Sequence, residues 1–335
     1  MKKIAVLLFM SATISTQTFA QDFSKLYENA VKSVVTIQVD DYEIKNGGVT
    51  KTGGLGSGVL IDSLGHIFTA SHVVHNAIAI KVKFQSGEVI AAQIVSSIPS
   101  IDVALLKLEY IPKGVIPSKI GNSENTKIGE QIFIIGAPLG FEYSFSTGHI
   151  SGKLNKSMLA RGQMTEFFQT DAAINHGTSG GPMFNLKGEV IGIVSFILSQ
   201  SGGFEGIGFA VAITPAKKML FETSSLWTGF EGYFLDKRLA EILNLPQNSG
   251  MLVQRVTDNS LASKMGLEGG YLKFNYLGDE IFLGGDIILN VLGTSCDSPH
   301  NFNSIKTQVS NLQKGQPVMM DILRKGKVIN LIFEM

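Results

Sequence analysis

The 335-residue chain has one cysteine, no net charge and no long apolar run, and each scarcity excludes something. A lone cysteine, Cys296, cannot close an internal disulfide, nor build a zinc site without several further ligands, so it is expected to be structural. Basic and acidic residues balance at 28 each, which argues against a nucleic-acid-binding surface and against a polyacidic tail. No segment reaches the roughly 18 consecutive apolar residues of a membrane-spanning helix. Helical patterns do not alternate with the strand-like runs, which disfavours a parallel α/β sheet.

What is present reads as an exported, mostly β chain. Lys2 and Lys3 precede an apolar stretch from Ile4 to Met10, and Thr18-Phe19-Ala20 offers a small-x-small cleavage site. This pattern predicts a signal peptide over residues 1–20; the apolar run is short for an anchoring helix, and no cysteine follows it for a lipid anchor. Phe23, Leu26, Tyr27, Ala30 and Val31 lie at helical spacing. Short β-branched runs follow, among them "SVVTIQV", "SGVLID", "HIFTASHVV", "VALLKL", "QIFIIG" and "GIGFAVAI", separated by turns. That succession predicts a barrel or sandwich. Pro215–Phe221 closes the series as a helix, and beyond residue 225 a smaller α+β block is expected, with helices over Asp236–Leu243 and Asn301–Leu312. The division predicted is 21–224 and 225–335.

The stretch "NHGTSGGP" at 175–182 crowds three glycines and a proline around Ser179. A serine hydroxyl is a weak nucleophile that needs a base, and the base needs a group to hold its tautomer. His72, in "FTASHVV", and Asp102, just before the apolar run "VALLKL", supply those chemistries. The order His72, Asp102, Ser179 is one of those that serine proteases use. Gly177 would let its own N–H and that of Ser179 converge on an oxyanion. Gly180 and Gly181 read as clearance for a substrate chain. "GGLGSG" at 53–58 is no phosphate loop, because strand-like residues rather than a helix follow it; it reads as a flexible loop. Asp171, acidic and near Ser179, and His176 both read as structural.

The strings "GSGVLIDSLGHIFTASHVV", "IDVALLKL", "QTDAAINHGTSGGPMFN" and "GIGFAVAI" resemble the high-temperature-requirement (HtrA or Deg) family of exported serine proteases, from about residue 23 onward. The resemblance implies a mostly β, two-barrel chymotrypsin-like protease domain followed by an α+β PDZ domain. It makes His72 the base, Asp102 the orienting acid and Ser179 the nucleophile, with Gly177, Thr178 and Ser179 in the oxyanion loop. The family usually has proline and asparagine where this chain has His176 and Thr178. The resemblance places Val194, Ser195 and Phe196 beside the substrate as an antiparallel edge, and Ile207, Gly208 and Phe209 near an apolar primary pocket that suits valine, alanine or leucine. In the second block Thr228, Gly229 and Phe230 match the loop that holds a peptide's terminal carboxylate; the family commonly has leucine at the position of Thr228. A departure is "YLKFNYLGDEIFL", an extra segment near 271–283 whose alternation predicts an inserted hairpin.

The function so implied is a periplasmic, ATP-independent serine endopeptidase acting on unfolded or damaged proteins. Its PDZ domain would capture C-terminal peptides, and no metal, nucleotide or nucleic acid is implied. The family's trimers, built through N-terminal segments, imply a homotrimer or larger assembly with Phe23 and Tyr27 as candidate contacts, although packing on the chain's own barrel fits those residues equally. The alternatives are an ATP-independent chaperone or peptide sensor with an idle triad, and a membrane-tethered protease with one specific partner.

Overall fold

A computed structural model describes residues 22–334 apart from 46–47, 75–76, 78, 156–165, 200, 223–228, 258–259, 277–278 and 314, so the signal peptide expected over 1–20 and Thr228 lie outside the described residues. Strands β1 (Val34–Lys45), β2 (Gly48–Leu60), β3 (His66–Thr69), β4 (Ala79–Lys83), β5 (Val89–Ile98) and β6 (Val103–Leu108) close into one barrel in the order β1-β2-β3-β6-β5-β4. Strands β7 (Gln131–Gly136), β8 (Ser144–Asn155), β9 (Glu166–Thr170), β10 (Pro182–Asn185), β11 (Val190–Ile197) and β12 (Gly208–Ala212) close a second, in the order β10-β11-β12-β9-β8-β7.

The continuous apolar runs of β6 and β7 follow from burial on both faces. Along β7, Ile132 and Ile134 face the interior of the second barrel, while Phe133 and Ile135 join a cluster drawn from both barrels. Along β6, Ala104 and Leu106 fill the first barrel, and Val103 and Leu105 join the shared cluster. That seam is rich in aromatic rings: Phe133 stacks on Phe184 at 4.9 Å and on Phe145 at 5.6 Å. Asp102 immediately precedes Val103, so the seam fixes where its carboxylate stands.

Helix α1 (Phe23–Ala30) starts at Asp22, whose carboxylate accepts the amides of Ser24 and Lys25, and continues as a 3-10 turn over Val31–Ser33. Its apolar side packs on the seam of its own chain. The Phe23 ring meets Phe133 and Phe145 edge-on, and the Tyr27 hydroxyl donates to the carbonyl of Tyr143 at 3.0 Å. A four-residue helix, α2 (Ser71–Val74), follows β3, and α3 (Ile213–Glu222) follows β12. His72 thus stands on a short helix rather than at a strand end.

"GGLGSG" is strand, not loop: residues 53–58 lie inside β2, paired with β1 from Val39↔Gly54 to Val35↔Gly58. The glycines are packing residues. A Cβ on Gly54 would sit 2.6 Å from Val39 Cγ2, and one on Gly56 would sit 2.5 Å from Val73 Cγ1.

The C-terminal unit holds β13 (Phe230–Leu235), α4 (Lys237–Ile242), β14 (Gly250–Val256), α5 (Leu261–Lys264), β15 (Leu272–Tyr276), β16 (Asp279–Leu283), β17 (Ile287–Val291), β18 (Thr294–Ser295), α6 (Pro299–Ser310), β19 (Pro317–Arg324) and β20 (Lys327–Glu334). Its sheet runs β13-β14-β17-β19-β20, with β18 on β17. The extra segment is the expected hairpin, β15 on β16, with Leu272 opposite Leu283 and Phe274 opposite Ile281. Asp236 caps α4 and Ser298 caps α6. Cys296 is buried in this core, where burial pushes its thiol up to about 12, out of reach of thiolate chemistry.

Candidate active site

Asp102 occupies a left-handed backbone position, φ 56° and ψ 47°, at the end of the 3-10 turn Pro99–Ile101. That conformation is uncommon and costly for a side-chain-bearing residue, and such strain gathers at functional positions. From it the carboxylate takes four hydrogen bonds. Oδ1 accepts the main-chain N–H of His72 at 3.0 Å, both oxygens lie 2.9 Å from His72 Nδ1, and Oδ2 accepts the hydroxyl of Ser195. The imidazole is thereby held twice, by ring and by backbone, and its Nε2 is turned away from the acid. Burial alone would lower the His72 pKa, but the hydrogen bond to Asp102 and that residue's charge outweigh it, so the value stands above the ordinary 6.5.

Ser179 lies across from this pair. His72 and Ser179 line one cleft of about 280 Å³ together with Leu55, Val73, His176 and Gly177. The Ser179 hydroxyl donates to the carbonyl of Ser195 at 3.2 Å. Ser195 therefore touches both ends of the constellation, its side chain on Asp102 and its carbonyl on Ser179. It does so from a register shift in β11, where Val194 pairs with Ala210 and Phe196 with Phe209, leaving Ser195 unpaired in the ladder.

The glycines answer to the protein's own backbone. Gly177 has φ 95°, and a Cβ there would lie 2.2 Å from the Ala137 carbonyl oxygen. Gly180 has φ 82°, and its Cβ would lie 2.2 Å from Thr69 Oγ1 and 2.3 Å from the Ser57 carbonyl oxygen. Gly181 is similarly pressed by the carbonyls of Thr178 and Ile135. The expected clearance for substrate at Gly180 and Gly181 is thus occupied by β2, β3 and β7; what those glycines permit is close docking of the Ser179 loop on both barrels.

Three clamps set the direction of the loop's amides. Leu139 N–H donates to the His176 carbonyl at 2.7 Å, which turns the N–H of the same peptide, that of Gly177, the opposite way. Ser57 Oγ donates to the Gly177 carbonyl at 2.7 Å and accepts the Ala137 amide at 2.9 Å, and the Ser57 amide donates to the Ser179 carbonyl at 2.8 Å. The Thr178 amide is engaged with Asn175, while among the described residues those of Gly177 and Ser179 donate to no protein acceptor. Ser57 is a site residue that sequence reasoning missed: it stood inside a glycine string whose only visible property was flexibility.

The other expected residues divide. Val194 presents no free edge, because its N–H and carbonyl bond Gly181 and Gly180 and its side chain is buried in the second barrel. Phe196 stacks on Phe209 at 4.8 Å, and Phe209 is a core residue at 6% exposure, with Ile207 half-buried against the same cluster. Gly208 packs under Ile174, 2.6 Å from where its Cβ would be. Asp171, just past β9, accepts the His149 amide at 2.6 Å and takes no part in the cleft. Exposed His176 lines its rim.

In the C-terminal unit Gly229 has φ 82°, and Ser260 fills the space a Cβ would need. The Gly229 carbonyl accepts the Thr257 amide at 2.8 Å. Phe230 opens β13, which pairs only with β14 among the described residues, and Phe302 of α6 meets Phe234 edge-on at 6.0 Å.

A model of the trypsin-like peptidase domain matches residues 56–193, the span that contains all three candidate catalytic groups. The chain is 38% identical over 287 residues to a probable periplasmic serine endoprotease DegP-like of Pseudomonas putida (strain GB-1), covering 83% of this chain and 55% of that one. It is 33% identical over 288 residues to the periplasmic serine endoprotease DegP of Salmonella typhimurium, covering 84% and 56%. The chain therefore spans about half the length of the curated relatives it matches. Among solved structures, the HtrA-type protease AlgW with a decapeptide superposes at TM-score 0.54 and 28% identity, over 93% of this chain and 98% of that one. A variant of AlgW with a tripeptide reaches 30% identity at TM-score 0.53, over 93% and 96%. With two closed barrels, one cleft between His72 and Ser179, and likeness over nearly the whole of a solved relative, the chain belongs to the HtrA family of serine endoproteases.

Proposed function

We propose that the protein is a periplasmic, ATP-independent serine endopeptidase that cleaves unfolded or damaged polypeptides. The observation that carries this reading is the double hold of Asp102 on His72, beside a serine on the same cleft. Substrate draws the Ser179 hydroxyl from the Ser195 carbonyl to His72 Nε2, which takes its proton as the oxygen attacks the scissile carbonyl. The amides of Gly177 and Ser179 receive the oxyanion, and Asp102 stays ionised and steadies the imidazolium. His72 then protonates the leaving amine, and water activated by the same imidazole frees the acyl group. The relatives' names, periplasmic for the DegP proteins, support the compartment and the reaction.

The unit from residue 225 onward is a PDZ domain in this reading. The edge of β13 that faces away from β14 accepts an extended peptide as a further strand, and the Gly229–Phe230 turn holds its terminal carboxylate. The two AlgW structures, with decapeptide and tripeptide, support peptide binding in this family. The assembly is a homotrimer or larger. Because Phe23 and Tyr27 pack on the chain's own barrel, other residues of the N-terminal segment make the contacts between copies.

One observation favours the idle-triad alternative: the Ser179 hydroxyl bonds Ser195 rather than His72. A fluorophosphonate probe and unfolded casein decide between them. Labelling and cleavage, both lost in Ser179→Ala with a rate loss on the order of 10⁶, support the protease; intact casein and an unlabelled serine support the chaperone.

A further inference from the structure

The C-terminal sheet ends in β13 on one side and in β20 on the other. Among the described residues β20 pairs only with β19. Soluble proteins commonly blunt such an edge with charge, proline or a bulge. The middle of β20 has none of these. Residues 328–333 read "VINLIF", uncharged and without proline, and the register with β19 is unbroken from Pro317↔Glu334 to Arg324↔Lys327.

Side chains and backbone are bare together. On one face of the β19–β20 ladder Met319 lies opposite Ile332, Asp321 opposite Asn330 and Leu323 opposite Val328. Leu323 packs with the small core under α4 and the β15–β16 hairpin, and the cover stops there. Met319 is 49% exposed, Val328 58% and Ile332 67%. The turn Lys325-Gly326 has two positive φ values, 50° and 77°, the mark of a two-residue hairpin whose flanking pair, Arg324 and Lys327, is hydrogen-bonded. Alternation then gives the N–H and carbonyl of Ile329, Leu331 and Phe333 to β19 and turns those of Val328, Asn330 and Ile332 outward.

We infer that β20 is a self-pairing surface, joining antiparallel to β20 of a second copy across a two-fold axis at Asn330. The symmetry of the strand's own residues selects this occupant. An axis normal to the sheet matches the two bare faces only if it passes through a residue, because side chains alternate. Through Asn330 it sets Val328 opposite Ile332 of the second copy, on both sides of the axis. Each row then runs Met319, Ile332, Val328, Leu323 across the joined strands. An axis through Ile329 or Leu331 would instead set Val328 or Ile332 against Asn330. At the centre Asn330 donates from Nδ2 to Asp321 at 2.9 Å, which leaves its Oδ1 directed away from β19. Each Asn330 amide keeps a further N–H for the oxygen of its mate. At the ends the Lys327 of each strand comes beside the Glu334 of the other, so the charges complement. The contact leaves the β13 edge free and does not depend on the protease reading. Joined to a three-fold assembly, it closes two trimers into a hexamer in which three such contacts act together.

The test uses the full chain, whose one native cysteine, Cys296, is buried. Asn330→Cys under mild oxidation should link two chains, and only two, on a non-reducing denaturing gel, because directly opposed strand residues lie within disulfide reach. Ile332→Cys alone should not link, whereas Val328→Cys combined with Ile332→Cys should. By light scattering Ile332→Lys should lower the mass of the assembly twofold, and Val328→Lys carries the same expectation if the first variant does not fold. The inference is overturned by an unlinked Asn330→Cys, by equal linking at every single position, by ladders beyond two chains, by a wild-type mass of three chains, or by a mass that neither lysine variant lowers. The link should persist in Ser179→Ala, so failure of the protease reading and failure of this inference are told apart.

Discussion

Ser195 and Asp102 are joined by a hydroxyl–carboxylate hydrogen bond that crosses from β11 to the turn before β6, tying the second barrel to the acid on the first. The same residue accepts the hydroxyl of Ser179 at its carbonyl, so acid and nucleophile share one neighbour.

Removing that hydroxyl should be felt in turnover. A hydrogen bond to a charged group contributes about 1.5–3 kcal/mol, only part of it expressed in the transition state. Ser195→Ala should lose roughly tenfold in kcat with KM nearly unchanged, and Ser195→Thr should retain most of the rate. Kinetics normalised to fluorophosphonate-titrated sites measure this.

The raised His72 pKa gives the pH profile its sign. The base works only when neutral, so kcat/KM should rise with pH through a midpoint above 6.5. Asp102→Asn should move that midpoint down and lower the rate by about 10⁴. For folding the direction reverses. The folded state holds this proton more tightly than the unfolded chain, so the pair's contribution is complete below 6.5 and is lost as pH rises through the folded value. Histidine titration by NMR in wild type and Asp102→Asn checks both statements.

Gly180→Ala should destabilise the fold as well as the site. The left-handed backbone alone costs about 1–2 kcal/mol for alanine, and the new methyl would press on Thr69 Oγ1 and the Ser57 carbonyl. A loss of about 2 kcal/mol or more by denaturant unfolding is expected, together with loss of casein cleavage.

Phe133→Ala should open the seam between the barrels, where Phe133 stacks on Phe184 and Phe145 and meets Phe23 edge-on. A core phenylalanine truncated to alanine costs about 3–5 kcal/mol. The lower midpoint in urea should coincide with loss of activity, because the acid and the nucleophile approach the cleft from opposite sides of that seam.

Much of this was legible in the residues themselves. Short β-branched runs and turns announced a barrel or sandwich, and the spacing of Phe23, Tyr27 and Ala30 announced α1. The chemistry of His72, Asp102 and Ser179 was readable because few residue types can do that work. Harder to read was anything set by two distant segments meeting. Gly54, Gly56 and Gly58 looked like a loop because glycine's local preference is loose; they are strand because they pair with β1, and glycine because Val39, Val73 and Ile37 leave no room for a Cβ. Gly180 looked like clearance for substrate, and its neighbours turned out to be the chain's own β2 and β3. Val194 looked like a substrate edge, and its backbone holds the Ser179 loop instead.

By itself, then, the sequence determined which elements form and which side chains carry reactive groups, because hydrophobic period, turn chemistry and nucleophile type are local properties. Only the tertiary structure decided the partners of those groups: Ser195 bridging Asp102 and Ser179, and Ser57 and Leu139 aiming the Gly177 loop. Those contacts join residues from 16 to 122 positions apart. No local preference encodes such a meeting; it arises when two barrels bury a common apolar seam and everything attached to their rims is brought into register.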